Sequence, residues 1–313
     1  MGSEVLHILA IMISPATRLL LPSCTIFWLF ALAACELAHP IEQNTQEPDP
    51  NYLTIDTISY AAIGDTLHAL VLQPVHEPQD TTPLPVLFLL HGYGGNHLSW
   101  SQQVPELTEL VRQYPFLVVC PQADNSWYFD NPIRQDQNYA AAIGRQLPSL
   151  IDSLYPTVGH SSGRFITGLS MGGHGALYLA YRFPNTFGAV GSMSGGLDLL
   201  PFADRFELTD LLGSPEKYSE RWQAHNVLDL LDRWPNPPPT LLIDCGSEDF
   251  FLEANQRAHR KLLALGIPHH YVIRPGTHNW IYWRHVLPDH MRFFARVWYQ
   301  RESNYPAGLE GVK

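Results

Sequence analysis

Gly168-Leu169-Ser170-Met171-Gly172-Gly173 lies between Arg164-Phe165-Ile166-Thr167, a run of strand-forming character, and His174-Gly175-Ala176-Leu177-Tyr178-Leu179-Ala180, a run of helical character. A G-x-S-x-G sequence in that setting reads as a sharp strand-to-helix turn that presents a single serine, Ser170, at its apex. Such an apex is strained and leaves no room for Cβ atoms beside it, so Gly168 and Gly172 supply space that a larger residue would fill. An ordinary Gly/Ser turn is the alternative, but it requires neither flank, and both are present.

Working outward, residues 86–90 and 116–120 are apolar without alternation, as suits parallel strands covered on both faces. Residues 52–60 and 66–72 alternate around Gly64-Asp65 and predict an edge hairpin. Further strands are expected at 189–194, 240–246 and 270–273, with helices over 253–265 and 281–301. Apolar positions between Asn138 and Tyr155 recur at helical spacing, and Pro148 inside that run predicts a kink or a lost backbone bond. The stretch from about 196 to 239, with many Leu, Trp, Asp and Pro residues, reads as a helical excursion able to act as a partial lid. Strands and helices alternate after residue 86 at the spacing that right-handed crossovers need. The expected fold class is therefore α/β: a mostly parallel, doubly wound sheet with an antiparallel N-terminal edge hairpin, occupying residues 52–301, with a tail at 302–313.

The amino terminus has a different character. Arg18 precedes an apolar run, 26–34, that ends in Leu32-Ala33-Ala34-Cys35. Charge, apolar core and small residues together predict an export signal over residues 1–35. The run is too short to span a bilayer, which takes about 20 apolar residues. The tetrad resembles a bacterial lipobox, which implies a lipid on Cys35; ordinary signal cleavage nearby is the alternative. Residues 36–51 are polar and proline-bearing and read as a flexible tether. The expected location is the cell envelope of a bacterium, with membrane contact through the lipid alone.

A formal charge of −11 argues against nucleic acid as a partner. A neutral or uncharged substrate fits more easily. Among the cysteines, Cys120 and Cys245 end predicted strands that should be separated in the sheet, so two buried thiols are expected rather than a disulfide. No Cys/His spacing suggests zinc despite 15 histidines, and no metal or cofactor is expected.

In a sheet of this kind chemistry collects at the carboxyl ends of strands. A serine hydroxyl needs an imidazole to take its proton, and the imidazole needs a carboxylate to set its tautomer. His278, in the loop Pro275-Gly276-Thr277-His278-Asn279-Trp280, is the candidate base. His174 follows the elbow directly and is better explained by helix packing or a local hydrogen bond. Asp244, Glu248 and Asp249 compete for the acid; Asp244 lies inside a strand, and Asp249 sits where a loop can aim it at His278. Two backbone N–H groups should stabilise the oxyanion: that of Met171, after the nucleophile, and that of Tyr93 in the Gly-rich turn 91–96. The order Ser, Asp, His is the one expected of α/β-hydrolases.

His91-Gly92-Tyr93-Gly94-Gly95-Asn96 with Trp100, Ser126-Trp127-Tyr128, the elbow, Cys245-Gly246-Ser247-Glu248-Asp249 and His278-Asn279-Trp280 together resemble the esterase D-like family of α/β-hydrolases over about residues 52–300. The resemblance implies Ser170, Asp249 and His278 as a triad, with the amides of Tyr93 and Met171 as the oxyanion hole. The expected activity is that of an exported serine carboxylesterase acting on a short-chain or aromatic acyl ester, with Trp127, Tyr128 and Trp280 flanking the substrate. Acyl transfer to a sugar or lipid acceptor is the alternative within enzymes, and a non-catalytic surface binding protein is the alternative outside them.

Overall fold

The computed structural model describes residues 54–62, 65–74 and 82–301. The expected export signal, Cys35, the tether and the 302–313 tail lie outside them. Among the described residues, eight strands form one sheet in the order β1-β2-β4-β3-β5-β6-β7-β8. β1 (Thr54–Ala62) and β2 (Asp65–Gln73) make the antiparallel edge pair. β2 joins β4 (Leu117–Pro121) antiparallel, and every later pairing is parallel, through β3 (Val86–Leu90), β5 (Arg164–Gly168), β6 (Ala189–Met193), β7 (Thr240–Gly246) and β8 (His270–Arg274).

The unalternating strands are buried on both faces because each face carries its own core. In β3, Val86, Phe88 and Leu90 enter one cluster, while Leu87 and Leu89 enter the other. The second cluster is closed by α1 (Ser99–Gln103), α2 (Leu107–Gln113) and α10 (Trp280–Arg301), which contribute Trp100, Val111 and Phe294. The first contains residues of α4 (Leu147–Leu154), α5 (Met171–Arg182) and α9 (Leu252–Ala264). Burying an aliphatic or aromatic side chain of this size contributes about 1.5–3 kcal/mol, so a sheet covered on both faces is the stable solution for strands this apolar.

The helix predicted before the elbow is continuous but changes pitch. α3 (Tyr139–Ala141) passes through one π turn, Ala142–Gln146, into α4. The wide turn ends beside Pro148, which lacks the N–H that the regular ladder would use; the N–H of Leu147 reaches back to Ala142 instead. Cys120 and Cys245 are buried free thiols, in β4 and β7, with β3, β5 and β6 between them. The 196–239 excursion holds three short helices, α6 (Leu208–Leu212), α7 (Ser219–His225) and α8 (Val227–Leu230), whose Leu208, Trp222 and Leu230 belong to the first core.

Candidate active site

β5 lies centrally, between β3 and β6, and its carboxyl end delivers the chain into the elbow. Ser170 takes φ 55° and ψ −116°, a left-handed conformation that costs a non-glycine residue about 1–3 kcal/mol. Its neighbours hold it there: the Ser170 N–H donates to Met193 O at 2.9 Å, and the Gly172 N–H donates to Leu169 O at 2.7 Å. A Cβ on Gly172 would lie 2.6 Å from His91 O, and one on Gly168 would lie 2.6 Å from Leu90 Cβ. Both glycines are thus dictated by the approach of β3 to the elbow.

His278 Nε2 lies 2.9 Å from Ser170 Oγ, and His278 Nδ1 lies 3.0 and 2.9 Å from the two oxygens of Asp249. With a neutral ring, the serine hydroxyl donates to Nε2 and Nδ1–H donates to the carboxylate. The Asp249 carboxylate is fully buried, and its Oδ1 also accepts the Phe251 N–H at 2.8 Å. The Phe250, Trp283 and Phe251 rings stand 4.1, 4.9 and 5.3 Å from the His278 ring, which limits the water that can compete for these bonds. Of the competing acids, Asp244 is buried and turned to Tyr282 and Arg274.

The Gly-rich turn is set by three side chains that occupy successive carbonyls. Trp100 Nε1–H donates to Leu90 O at 3.0 Å, the Tyr128 hydroxyl to His91 O at 3.0 Å, and His91 Nδ1–H to Gly92 O at 2.8 Å. The tautomer of His91 follows from its other nitrogen, which accepts the Ala123 N–H at 3.0 Å. Burial pushes its pKa down to about 4, so the ring is neutral at ordinary pH. The turn's own bonds use the N–H of Gly94, to Asn125 Oδ1, and of Gly95, to Gly92 O. That of Tyr93 takes no part in these bonds. Met171 opens α5, where a first-turn N–H has no intrahelical acceptor. The N–H groups of Tyr93 and Met171 thus stand one on each loop beside Ser170.

Ser170 and His278 border a cleft of ≈520 Å³. Asn96, Ser99 and Gln102 give it polar lining, and Phe206, Phe250, Trp280 and Trp283 give it aromatic lining. Trp280 is therefore where the sequence places it. Trp127 and Tyr128 are not: both are buried and neither reaches the cleft. At φ 54° and 63° their backbone is left-handed, and the side chains turn into the core, Tyr128 over Gly175 and Trp127 against His174. Their work is to support the turn and to carry Phe206, whose carbonyl accepts the Trp127 indole N–H at 3.2 Å. Phe206, Phe250 and Trp283 escaped the sequence reading. Phe250 adjoins Asp249 and Trp283 follows the His278 loop, so proximity to the expected triad was the available signal; Phe206 had none. His174 is a packing residue, fully buried, with its Nε2 2.9 Å from His225 O and its pKa pushed down to about 3 by burial.

The "Putative esterase" family matches residues 61–294. The chain belongs to this family of carboxylic ester hydrolases. An acetyl esterase of Caldicellulosiruptor saccharolyticus is 24% identical over 256 residues, 73% of this chain and 92% of that protein. An esterase of Mycobacterium tuberculosis is 25% identical over 264 residues, covering 76% of this chain and 57% of its own length. Among solved structures, a Staphylococcus aureus fluorophosphonate-binding serine hydrolase superposes with a TM-score of 0.70 at 21% identity, covering 78% of this chain and 98% of that one. A ferulic acid esterase superposes at 0.67 with 23% identity, covering 79% and 98%. These structures share the α/β-hydrolase fold.

Proposed function

We propose that this protein is an exported serine carboxylesterase that cleaves a short-chain or aromatic acyl ester, on a small molecule or a carbohydrate, through an acyl-enzyme on Ser170. The continuous chain of hydrogen bonds from Ser170 Oγ through His278 to the buried Asp249 carries the reading. As Oγ attacks the ester carbonyl, its proton passes to His278 Nε2, and the charge on the imidazolium is met by Asp249. The carbonyl oxygen takes the negative charge toward the N–H groups of Tyr93 and Met171, each such donor contributing about 2.7–4 kcal/mol to the rate. His278 then returns the proton to the departing alkoxide. Water enters, gives its proton to the same nitrogen, and releases the acid and free serine.

The aromatic lining of the cleft supports an apolar or aromatic acyl group, and the names of its relatives, an acetyl esterase and a ferulic acid esterase, span that range. Export and a lipid on Cys35 rest on the Leu32–Cys35 tetrad and the polar stretch after it. Ser170→Ala tests the chemistry: it should abolish p-nitrophenyl acetate hydrolysis and labelling by a fluorophosphonate. Hydrolysis at the parental rate by that variant refutes the serine mechanism.

A further inference from the structure

His278 stands on the connection between Arg274, the last residue of β8, and Trp280, the first of α10. Backbone bonds fasten its first half to the loop that carries Asp249: the Ser247 N–H donates to Arg274 O and the Glu248 N–H to Gly276 O, both at 2.9 Å. The second half has no such tie to the sheet. It leans on the first turn of α10, where Asn279 Oδ1 accepts the Tyr282 N–H at 3.0 Å and Asn279 O accepts the Trp283 N–H at 3.2 Å. What refers that turn of α10 back to the sheet is a carboxylate outside the cleft. Asp244, in β7 and 1% exposed, accepts the Tyr282 hydroxyl on Oδ1, and its Oδ2 lies 3.0 Å from Arg274 Nη2. Arg274 is held in turn by Asp289, at 2.6 Å, and Asp289 by Arg292, at 2.7 Å. The Tyr282 ring meanwhile packs on Gly276, in the middle of the connection.

One buried carboxylate therefore grips both ends of the segment that carries the imidazole. Burying a charge is costly, and an apolar side chain in its place would pack without that cost. A carboxylate does what an apolar side chain cannot: it accepts the Tyr282 hydroxyl on one oxygen and sets a charge against the Arg274 guanidinium with the other.

We propose that Asp244, acting through Tyr282 and Arg274, is the positioning residue for His278, holding Nε2 on Ser170 and Nδ1 on Asp249. This rests on the reading of His278 as the base. A small misplacement of a catalytic group costs about 10²-fold in rate, whereas the Gly-rich turn and Phe206 are carried by other loops, so the loss should fall on kcat and not on KM.

Tyr282→Phe keeps the ring on Gly276 and removes only the hydroxyl. With active sites counted by fluorophosphonate titration, it should turn over p-nitrophenyl acetate about 10- to 100-fold more slowly per labelled site, with KM nearly unchanged and melting above the assay temperature. Asp244→Asn keeps an acceptor for Tyr282 but loses the charge facing Arg274, and should retain more activity than Tyr282→Phe. Parental turnover per labelled site in Tyr282→Phe overturns the proposal. So does an effect confined to KM, or a loss that only tracks the folded fraction. An inactive parent, or a Ser170→Ala protein as fast as the parent, instead removes the reading of the site, and the positioning role of Asp244 with it.

Discussion

His278 Nδ1 faces both oxygens of Asp249, at 3.0 and 2.9 Å, so the acid straddles the ring N–H. The carboxylate thereby fixes the tautomer that leaves Nε2 as an acceptor for Ser170. Asp249→Asn retains the shape and removes the charge. It should lower kcat by about 10⁴-fold with KM little changed, as expected when the wrong tautomer is stabilised. Steady-state kinetics on p-nitrophenyl acetate measure this, and a loss below tenfold would assign the acid to another group.

Gly172 is placed by steric demand. Its absent Cβ would meet His91 O at 2.6 Å and Leu90 O at 2.7 Å, and both are backbone atoms at the end of a central strand. They cannot yield without moving the Gly-rich turn. Gly172→Ala should therefore cost about 1–3 kcal/mol of stability, by overpacking, together with a large part of the activity. Denaturant unfolding and a rate assay on the same preparation check both; a variant as stable and active as the parent removes the steric argument.

Phe206 reaches the cleft from the excursion and touches Tyr93 at 5.5 Å and Phe250 at 6.2 Å between ring centres. Phe206→Ala opens the wall without touching Ser170 or His278. KM for an aromatic acyl ester such as methyl ferulate should rise by about tenfold, the scale of one lost aromatic contact, while acetate esters change less. Equal effects on both esters would place the acyl group elsewhere.

Much of this was legible because the decisive features are local. Ser170 and its flanking glycines lie within one hexapeptide, and unalternating β3 and β4 declare their double burial through composition alone. Asp249 and His278 were legible from their places after strands. The inward direction of Trp127 and Tyr128 is not legible in the sequence because it depends on two successive left-handed residues, a backbone choice with no glycine to announce it. Phe206 was invisible for the opposite reason: it lies far along the chain from the serine, in a stretch without periodicity, and only folding brings it to the cleft. Pro148 signals a disturbance in the sequence, and a π turn absorbs it without breaking the helix.

Cys35 tests the envelope reading independently of catalysis. A lipid needs the thiol, so Cys35→Ser should lose incorporation of a labelled fatty acid and appear in the soluble fraction. Unchanged labelling and membrane retention in that variant refute a lipid on Cys35.

Three buried histidines make stability depend on pH in a window set by their own titration. Burial lowers the pKa of His91 to about 4, and those of His174 and His290 to about 3, from the ordinary 6.5. Below pH 6.5 the unfolded chain protonates all three, while the folded protein keeps them neutral until it reaches those lowered values. The unfolded state thus binds more protons, and folding stability falls as pH falls, by up to about 1.4 kcal/mol per pH unit for each group. Ordinary carboxylates still hold their charge between pH 6.5 and 5, so the histidines dominate that interval. Urea unfolding at pH 7, 6 and 5 should show a steadily falling free energy. His290→Gln, which removes a ring whose Nδ1 lies 3.0 Å from Thr167 Oγ1, should flatten the slope by up to one proton even as it lowers stability overall. A parent whose stability is level from pH 6.5 to 5 would show that these rings are protonated in the folded state, against their burial.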